Sequence, residues 1–449
     1  MKFQVSAIEL FERDVRLRLP FRFGVVTLSA APQAFVHCRI RCANGCEAEG
    51  AAAELLAPKW FDKDPALSNE DNFNQLRASL TAARADYLAG GANSAWGHFL
   101  AHTRAGLVAG YGPALIERAV LDALCRALGV SFYDAVRHNQ IGAGTFEGMD
   151  VAATLAGLRP VDRIAARHTV GLVDSITAAD VNERVNDGLP ETLEEVVVRY
   201  GHRYFKLKVA GDARADLERL AAVASVLDRI AEPYYVSLDG NEQYADMAGV
   251  AELWRRMTSD VRLDRLVASI LFIEQPVTRS HALEQPVTGI EKPVIIDESD
   301  DSLDAFPRAR ALGYRGVSSK TCKGLYKSLI NRARCARWNE DERAERYFMT
   351  GEDLTIQAGL ALQQDLALAS LLGLTHVERN GHHYVNGMAA LPQNEQDAFL
   401  AAHPDLYERS HGAVRVRIRG GELAIGSLAC PGFASSALPE WKSMRSMPH

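Results

Sequence analysis

Eight short apolar runs, most closed by a polar residue and followed by an amphipathic stretch, fill residues 168–379 and leave few folds open. They read HTVGLVD, RYFKLKV, YYVSLD, ASILFIE, KPVIID, YRGVSSK, RYFMTG and LTHVER. Between the second and third lies ARADLERLAAVASVLDRIA, in which Leu217, Leu220, Ala221, Ala224 and Leu227 mark one face of a helix. Eight strands with intervening helices over roughly 220 residues is the arithmetic of a (β/α)8 TIM-type barrel, an α/β fold. A doubly wound sheet is the competing reading. It would want a glycine-rich phosphate loop after an early strand, and no G-x-G-x-x-G or P-loop is present.

The flanks have a different texture. The first 60 residues read as strands and loops, with PQAFVHCRIR rich in β-formers and NGCEAEGAAA following as turn and strand. Residues 68–90 and 94–136 turn helical, and Gly129 is a stop signal. From about residue 392 the barrel texture ends. AVRVRIRGGELAIG alternates Val414, Val416 and Ile418 with arginines and turns at Gly420-Gly421, which predicts a half-buried hairpin resting on the N-terminal strands.

Composition narrows the partners. A net charge of −7 with no basic stripe makes nucleic acid and anionic membranes poor partners. There is no run of 18 apolar residues, and the opening MKFQVSAIELFERD carries charges where a secretion signal would be apolar, so a cytoplasmic location is expected. The seven cysteines are odd in number and scattered, which fits a reducing compartment. Cys38, Cys42 and Cys46 form C-x3-C-x3-C, but the preceding AFVHCRI reads as a strand and a fourth ligand is lacking, so small residues in and after a strand are expected.

Active sites of such barrels sit at the C-terminal ends of the strands. Lys206 and Lys208 end the second run on one face, since they are two apart on a strand. The third ends in Asp239, followed by Asn241, and the fourth in Glu274. The fifth ends in Asp297 and Glu298, and the sixth in Lys320. The spacings from Lys208 through Asp239, Glu274 and Asp297 to Lys320 are 31, 35, 23 and 23 residues, each close to one strand, one helix and two loops. Three carboxylates on neighbouring strand ends, with no histidine or cysteine among them, suit Mg2+. Lys208 and Lys320 would flank whatever binds the metal. Any one of these residues alone could be a loop cap or a solvated charge; five in register are difficult to ascribe to accident.

FKLKV, SLDGN, FIEQP, IIDES and SSKTCKG, in this order and spacing, resemble the enolase superfamily, and specifically its muconate lactonizing enzyme subgroup. LPFRFGVVTLSAAP resembles the family's mobile specificity loop, and ERAVLDALCRALG its last capping helix. The resemblance implies an α+β capping domain over residues 1–145, a catalytic barrel over 146–391, and a segment over 392–449 that returns to the cap. It implies that Asp239, Glu274 and Asp297 bind one Mg2+ (Mn2+ as a substitute), that Lys208 and Lys320 are the acid/base pair, and that Lys206 supports the enolate and tunes its neighbour. Removing a proton α to a carboxylate makes a dianionic enediolate, which needs cationic charge where the electrons arrive. Metal with a Lys or His base is the general scheme of these enzymes.

There are departures. The seventh run, YFMTGED, offers no histidine where the mandelate racemase subgroup uses one. The paired aspartates of dipeptide epimerases are missing from HVERNGHH. Candidate substrate contacts are Asn241, Glu298, Asp353, Glu378, Asn380, His382, Asp174 and Phe23, with Arg22 and Lys59-Trp60 also able to close over a ligand; for the loop after strand eight, a merely polar loop is an equal reading. The expected function is a Mg2+-dependent racemase, epimerase or cycloisomerase acting on a small carboxylate, with a dehydratase as the alternative. A Schiff-base aldolase and a non-catalytic metal-binding relative stand further back. A homo-oligomer is expected from the resemblance.

Overall fold

A computed structural model describes residues 1–354 and 357–448. Eight parallel strands, Arg163–Val170, Tyr204–Lys208, Tyr235–Asp239, Ile270–Glu274, Val294–Ile296, Gly316–Ser319, Phe348–Gly351 and His376–Arg379, pair in chain order. The eighth returns to the first through His376↔Ala165 and closes the barrel. Val294–Ile296 is buried throughout, as a strand covered on one face by helices and on the other by a filled lumen requires. The first strand begins five residues before the apolar run that marks it and stops at Val170. Beyond it, the Gly171 N–H donates to Asp174 Oδ2 at 2.8 Å, turning LVD into a loop.

The cap is an antiparallel sheet in which Phe3–Phe23 and Val26–Cys42 form a long hairpin and Glu47–Leu55 adds alongside. The run of small residues in that third strand has a steric cause. The helix Leu107–Leu128 lies directly on it, and a Cβ at Gly50 would run into the Ala119 carbonyl and the Ala123 backbone. The first helix of the cap, Asn69–Ala89, starts at Ser68, whose hydroxyl accepts from Asp71 N–H in a capping box. No described helix is long and apolar enough to cross a membrane.

The tail departs from the expected hairpin. Ala413–Val416 pairs backwards with Tyr407–Ser410 around His411-Gly412, both at positive φ. Gly420-Gly421 do make a tight turn, with Arg419 and Glu422 exchanging backbone hydrogen bonds of 3.1 Å, but Glu422–Ala424 runs on into the barrel sheet. It pairs antiparallel with Arg163–Ala165, an edge left open because Tyr204 begins its pairing only at Arg167. An open ladder edge outcompetes a two-stranded ribbon. Further on, Arg445–Ser446 joins the first cap strand opposite Phe11 and Glu12.

Candidate active site at the barrel mouth

Lys206 lies at the centre. Its ammonium donates to Glu274 Oε1 at 2.9 Å, Glu352 Oε2 at 2.7 Å and Glu378 Oε2 at 2.9 Å, with Asp239 Oδ2 also at 2.9 Å. Three N–H bonds cannot serve four acceptors fully, so the Asp239 contact is chiefly an ion pair. Arg167, on the first strand, is ion-paired with Glu352 and stacks 5.2 Å over Phe272 inside the lumen. Burial would by itself lower Lys206, but the four carboxylates together hold it well above its ordinary value. Burial would likewise raise Glu378, yet Lys206, Lys208 and Lys320 hold it well below the usual range. Glu274 goes the other way: burial, then Asp239 and Glu352 as like charges, push it well up.

Lys208 and Lys320 stand on either side of this cluster. Lys208 Nζ donates to Asp239 Oδ2 at 2.5 Å, and Lys320 Nζ to Asp297 Oδ2 at 2.5 Å. Their strands are the second and the sixth of a closed eight, four places apart, so the two ammonium groups come from opposite walls. The cap reaches this site: Trp60, 1% exposed, lies with its ring 4.3 Å from Lys320 Nζ. Burial opposes the charge on Lys320, but Asp297 raises it above the ordinary lysine value.

The three carboxylates expected to hold a metal occupy adjacent strand ends, Asp239 directly opposite Glu274 in register and Asp297 just beyond Ile296. Each is engaged by lysine. The donor set nevertheless suits a hard divalent cation, because Asn241 Oδ1 and Glu298 Oε2 are further buried oxygens without a hydrogen-bond partner beside the trio. Asn241 also donates through its side chain to Glu298 Oε1 at 3.2 Å.

Several contributors are not visible in the strand-end pattern. Lys63, from the cap, donates to Glu298 Oε1 at 2.9 Å and pairs with Glu242 at 2.6 Å, while Arg279 donates to both oxygens of Glu242. Gln275 accepts from the backbone N–H of Asp297 at 2.8 Å and donates to Ser299 Oγ at 2.8 Å, so it positions the fifth strand's loop. Asn241, Glu242 and Gln275 all have positive φ, a strain that clusters at functional sites. Lys323 adds a second cation 3.3 Å from Asp297.

The other candidates divide. Asp353 and Asn380 belong to the cluster: Asp353 N–H donates to Glu378 Oε2 at 3.1 Å, and its carboxylate accepts from Asn380 N–H at 2.8 Å. Asp174 sits at the rim, accepting from Tyr384 hydroxyl at 2.5 Å, and burial pushes it up to about 6. Phe23, 4% exposed, packs on Phe21 at the tip of the cap hairpin, and Phe21 in turn meets Tyr384 at 4.3 Å. Lys59 is turned away and donates to the backbone carbonyls of Asp64 and Leu67. His382 is not in the lumen. Arg167 and Thr169 point inward to Glu352 and Glu378, so His168 between them faces outward, and His382 lies 3.1 Å from it.

The cap is also tied to the barrel below Lys320. Arg118 donates to Glu54 Oε2 at 3.0 Å and to Thr321 Oγ1 at 3.2 Å. Burial pushes Glu54 up to about 7 in spite of Arg118, against an unfolded value of 4.5. A carboxyl raised on folding contributes stability that is present below the unfolded value and lost as the pH climbs through about 7. Glu54→Gln is therefore expected to flatten the fall in stability between pH 5 and 8 by about 3 kcal/mol. Thermal melts of both proteins across that range measure it; an unchanged pH slope would remove Glu54 as its source.

Comparison with known proteins agrees with this architecture. Residues 188–336 match the family model described as enolase C-terminal domain-like. The fold, a closed barrel with an N-terminal sheet domain, is similar to that of solved proteins that include a member of the enolase superfamily. The chain is similar to a muconate lactonizing enzyme from Pseudomonas fluorescens, solved with muconolactone, at 18% identity over 98% of this chain and 97% of that one, with a TM-score of 0.63. It is similar to the L-Ala-D/L-Glu epimerase of Bacillus subtilis at 16% identity, covering 97% and 99% with a TM-score of 0.60. A Roseovarius nubinhibens member of the superfamily, solved with magnesium, gives 16% identity, 99% of both chains and a TM-score of 0.59. No curated protein matches by sequence.

Proposed function

We propose that the protein is an isomerase, a racemase, epimerase or cycloisomerase that moves a proton at the carbon α to a small substrate's carboxylate. The observation that carries this reading is the pair Lys208 and Lys320, on opposite walls of the same barrel mouth and each held by one carboxylate. A substrate carbon between them meets one group able to take a proton from one face and another able to return it to the other. Asp239, Glu274 and Asp297 would hold one Mg2+, or Mn2+ in its place, which when bound supplies Lewis acidity toward the substrate carboxylate. Lys206 adds fixed positive charge beneath it. Trp60 covers the Lys320 side and the aromatic tip of the cap hairpin covers the rim near Tyr384, which keeps bulk water from the reacting carbon.

Incubation in D2O with Mg2+ and a library of hydroxy acids, sugar acids and amino-acid derivatives tests the reading. Deuterium is expected to enter the α position of at least one class, and EDTA to stop it. An absence of exchange across the library would overturn the proposal. Activity that survives EDTA but is trapped by borohydride would replace it with Schiff-base chemistry.

A further inference from the structure

Three histidines meet on the outer side of the barrel wall, away from the lysines. His168 is on the first strand, His202 lies just before the second, and His382 follows the eighth, so together they straddle the seam where the barrel closes. His168 Nδ1 is 3.1 Å and His202 Nε2 is 3.3 Å from the same atom, His382 Nε2, and all three ligand atoms lie within 4.8 Å of one another. Among the described residues this is the one group of three or more potential ligands that meets that condition.

The protonation pattern is what makes the cluster unusual. His202 Nδ1 is 2.9 Å from the Ala166 carbonyl, which can only accept, so this nitrogen carries the proton and Nε2 presents a lone pair. His382 Nδ1 has no hydrogen-bond partner, leaving Nε2 as that ring's only nitrogen with polar neighbours. One nitrogen must therefore answer two others, and any hydrogen-bonding scheme has to share a single proton among them. A cation at the meeting point satisfies three lone pairs at once.

We propose that His168, His202 and His382 form a binding site for a borderline divalent transition ion, Zn2+ above all, that fastens the barrel seam. Zinc–nitrogen bonds of about 2.0–2.1 Å in a tetrahedron put neighbouring nitrogens roughly 3.3–3.4 Å apart, close to the two short separations observed. The His202 bond to a backbone carbonyl is the outer-shell contact that fixes the tautomer and orientation of a ligating ring. Burial holds His168 and His382 well below the ordinary histidine value and brings His202 down to about 4, so all three rings are neutral near pH 7, as ligands must be. A cavity of about 30 Å3 lies against His382, Tyr200 and Arg415 on the same flank of the barrel. This set is nitrogen where the barrel-mouth set is oxygen, so the two sites should sort soft from hard cations.

Chelator-treated full-length protein, kept in excess Mg2+ to occupy the carboxylates, should be titrated with Co2+ and then Zn2+. One equivalent of Co2+ per chain is expected to give the intense visible band of a tetrahedral site, and Zn2+ to erase it while raising the melting temperature. His382→Ala, at the least buried of the three positions, and His202→Ala should each weaken Co2+ binding by at least about 100-fold while the far-ultraviolet circular dichroism stays native. No tetrahedral band in the unaltered protein would overturn the proposal. So would a band that persists in folded His382→Ala; should His202→Ala not fold, the His382 variant and the wild-type titration decide between these outcomes.

Discussion

Lys206→Met is expected to destabilise the fold by about 3–5 kcal/mol, more than loss of either neighbouring lysine. The methionine fills the same space, so packing is nearly conserved. What goes is the charge. Asp239, Glu274, Glu352 and Glu378 all converge on one ammonium, and the Lys206 side chain is 1% exposed, so no water is at hand to replace it. Arg167 still answers Glu352 and Lys208 still answers Asp239, but Glu274 loses the cation that it hydrogen-bonds. The deficit should shrink as the pH falls and the orphaned carboxylates take up protons. Adding Glu274→Gln to Lys206→Met should recover part of it, because the buried negative charge that lost its partner is gone. Denaturant unfolding of the wild type, the single variant and the double variant measures all three; a Lys206→Met protein as stable as the wild type would mean that the cluster is wetter and looser than its distances indicate.

The lysines at the two walls should behave in the opposite manner, sparing the fold and destroying turnover. In Lys208→Ala, Asp239 keeps Lys206 at 2.9 Å, and in Lys320→Ala, Asp297 keeps Lys323 at 3.3 Å, so neither change strands a buried carboxylate. Turnover of the substrate found by the exchange screen is expected to fall by about 10^2- to 10^4-fold in each, the usual worth of a positioned acid or base. The exchange pattern is more telling than the rate. Lys208→Ala should still exchange the α-proton of the stereoisomer facing Lys320, and Lys320→Ala that of its mirror partner. Full turnover in either variant, or loss of exchange from both stereoisomers in each, would remove the two-wall arrangement as the basis of the reaction.

Much of this was legible because a parallel barrel imposes strong local rules. Each buried strand is a short apolar run, and each run's last polar residue is delivered to the same end, so Lys208, Asp239, Glu274 and Lys320 could be placed by counting. What could not be read depends on contacts remote in sequence. Lys63 reaches the mouth from the cap, and nothing local distinguishes it from a surface cation; Trp60 was named as able to close over a ligand, but its place over Lys320 follows only from the cap's docking. Glu378 was visible at the end of the eighth run, but its convergence with Glu352 on Lys206 exists only once the eighth strand has met the first. His168 was hidden by alternation: a single polar residue inside an apolar run does not say which face it takes. The tail went astray for a related reason. Its alternating arginines read as one arm of a hairpin turning at Gly420-Gly421, whereas that arm pairs backwards with Tyr407–Ser410 and the strand after the turn takes an edge at Arg163–Ala165, far earlier in the chain.

The strand pairing of Arg445–Ser446 with Phe11 and Glu12 has a kinetic consequence. Arg445 ion-pairs with Glu12 across a separation of 433 residues. During synthesis that flank of the first strand stays uncovered until nearly the whole barrel has left the ribosome. Contacts so distant along the chain are slow to form, and an unpaired edge invites other chains in the interval. The barrel can close early, from neighbours meeting neighbours, whereas the cap sheet must wait. The step that completes the lid over the lysines is thus also the step at which a nascent or refolding population is most exposed to aggregation.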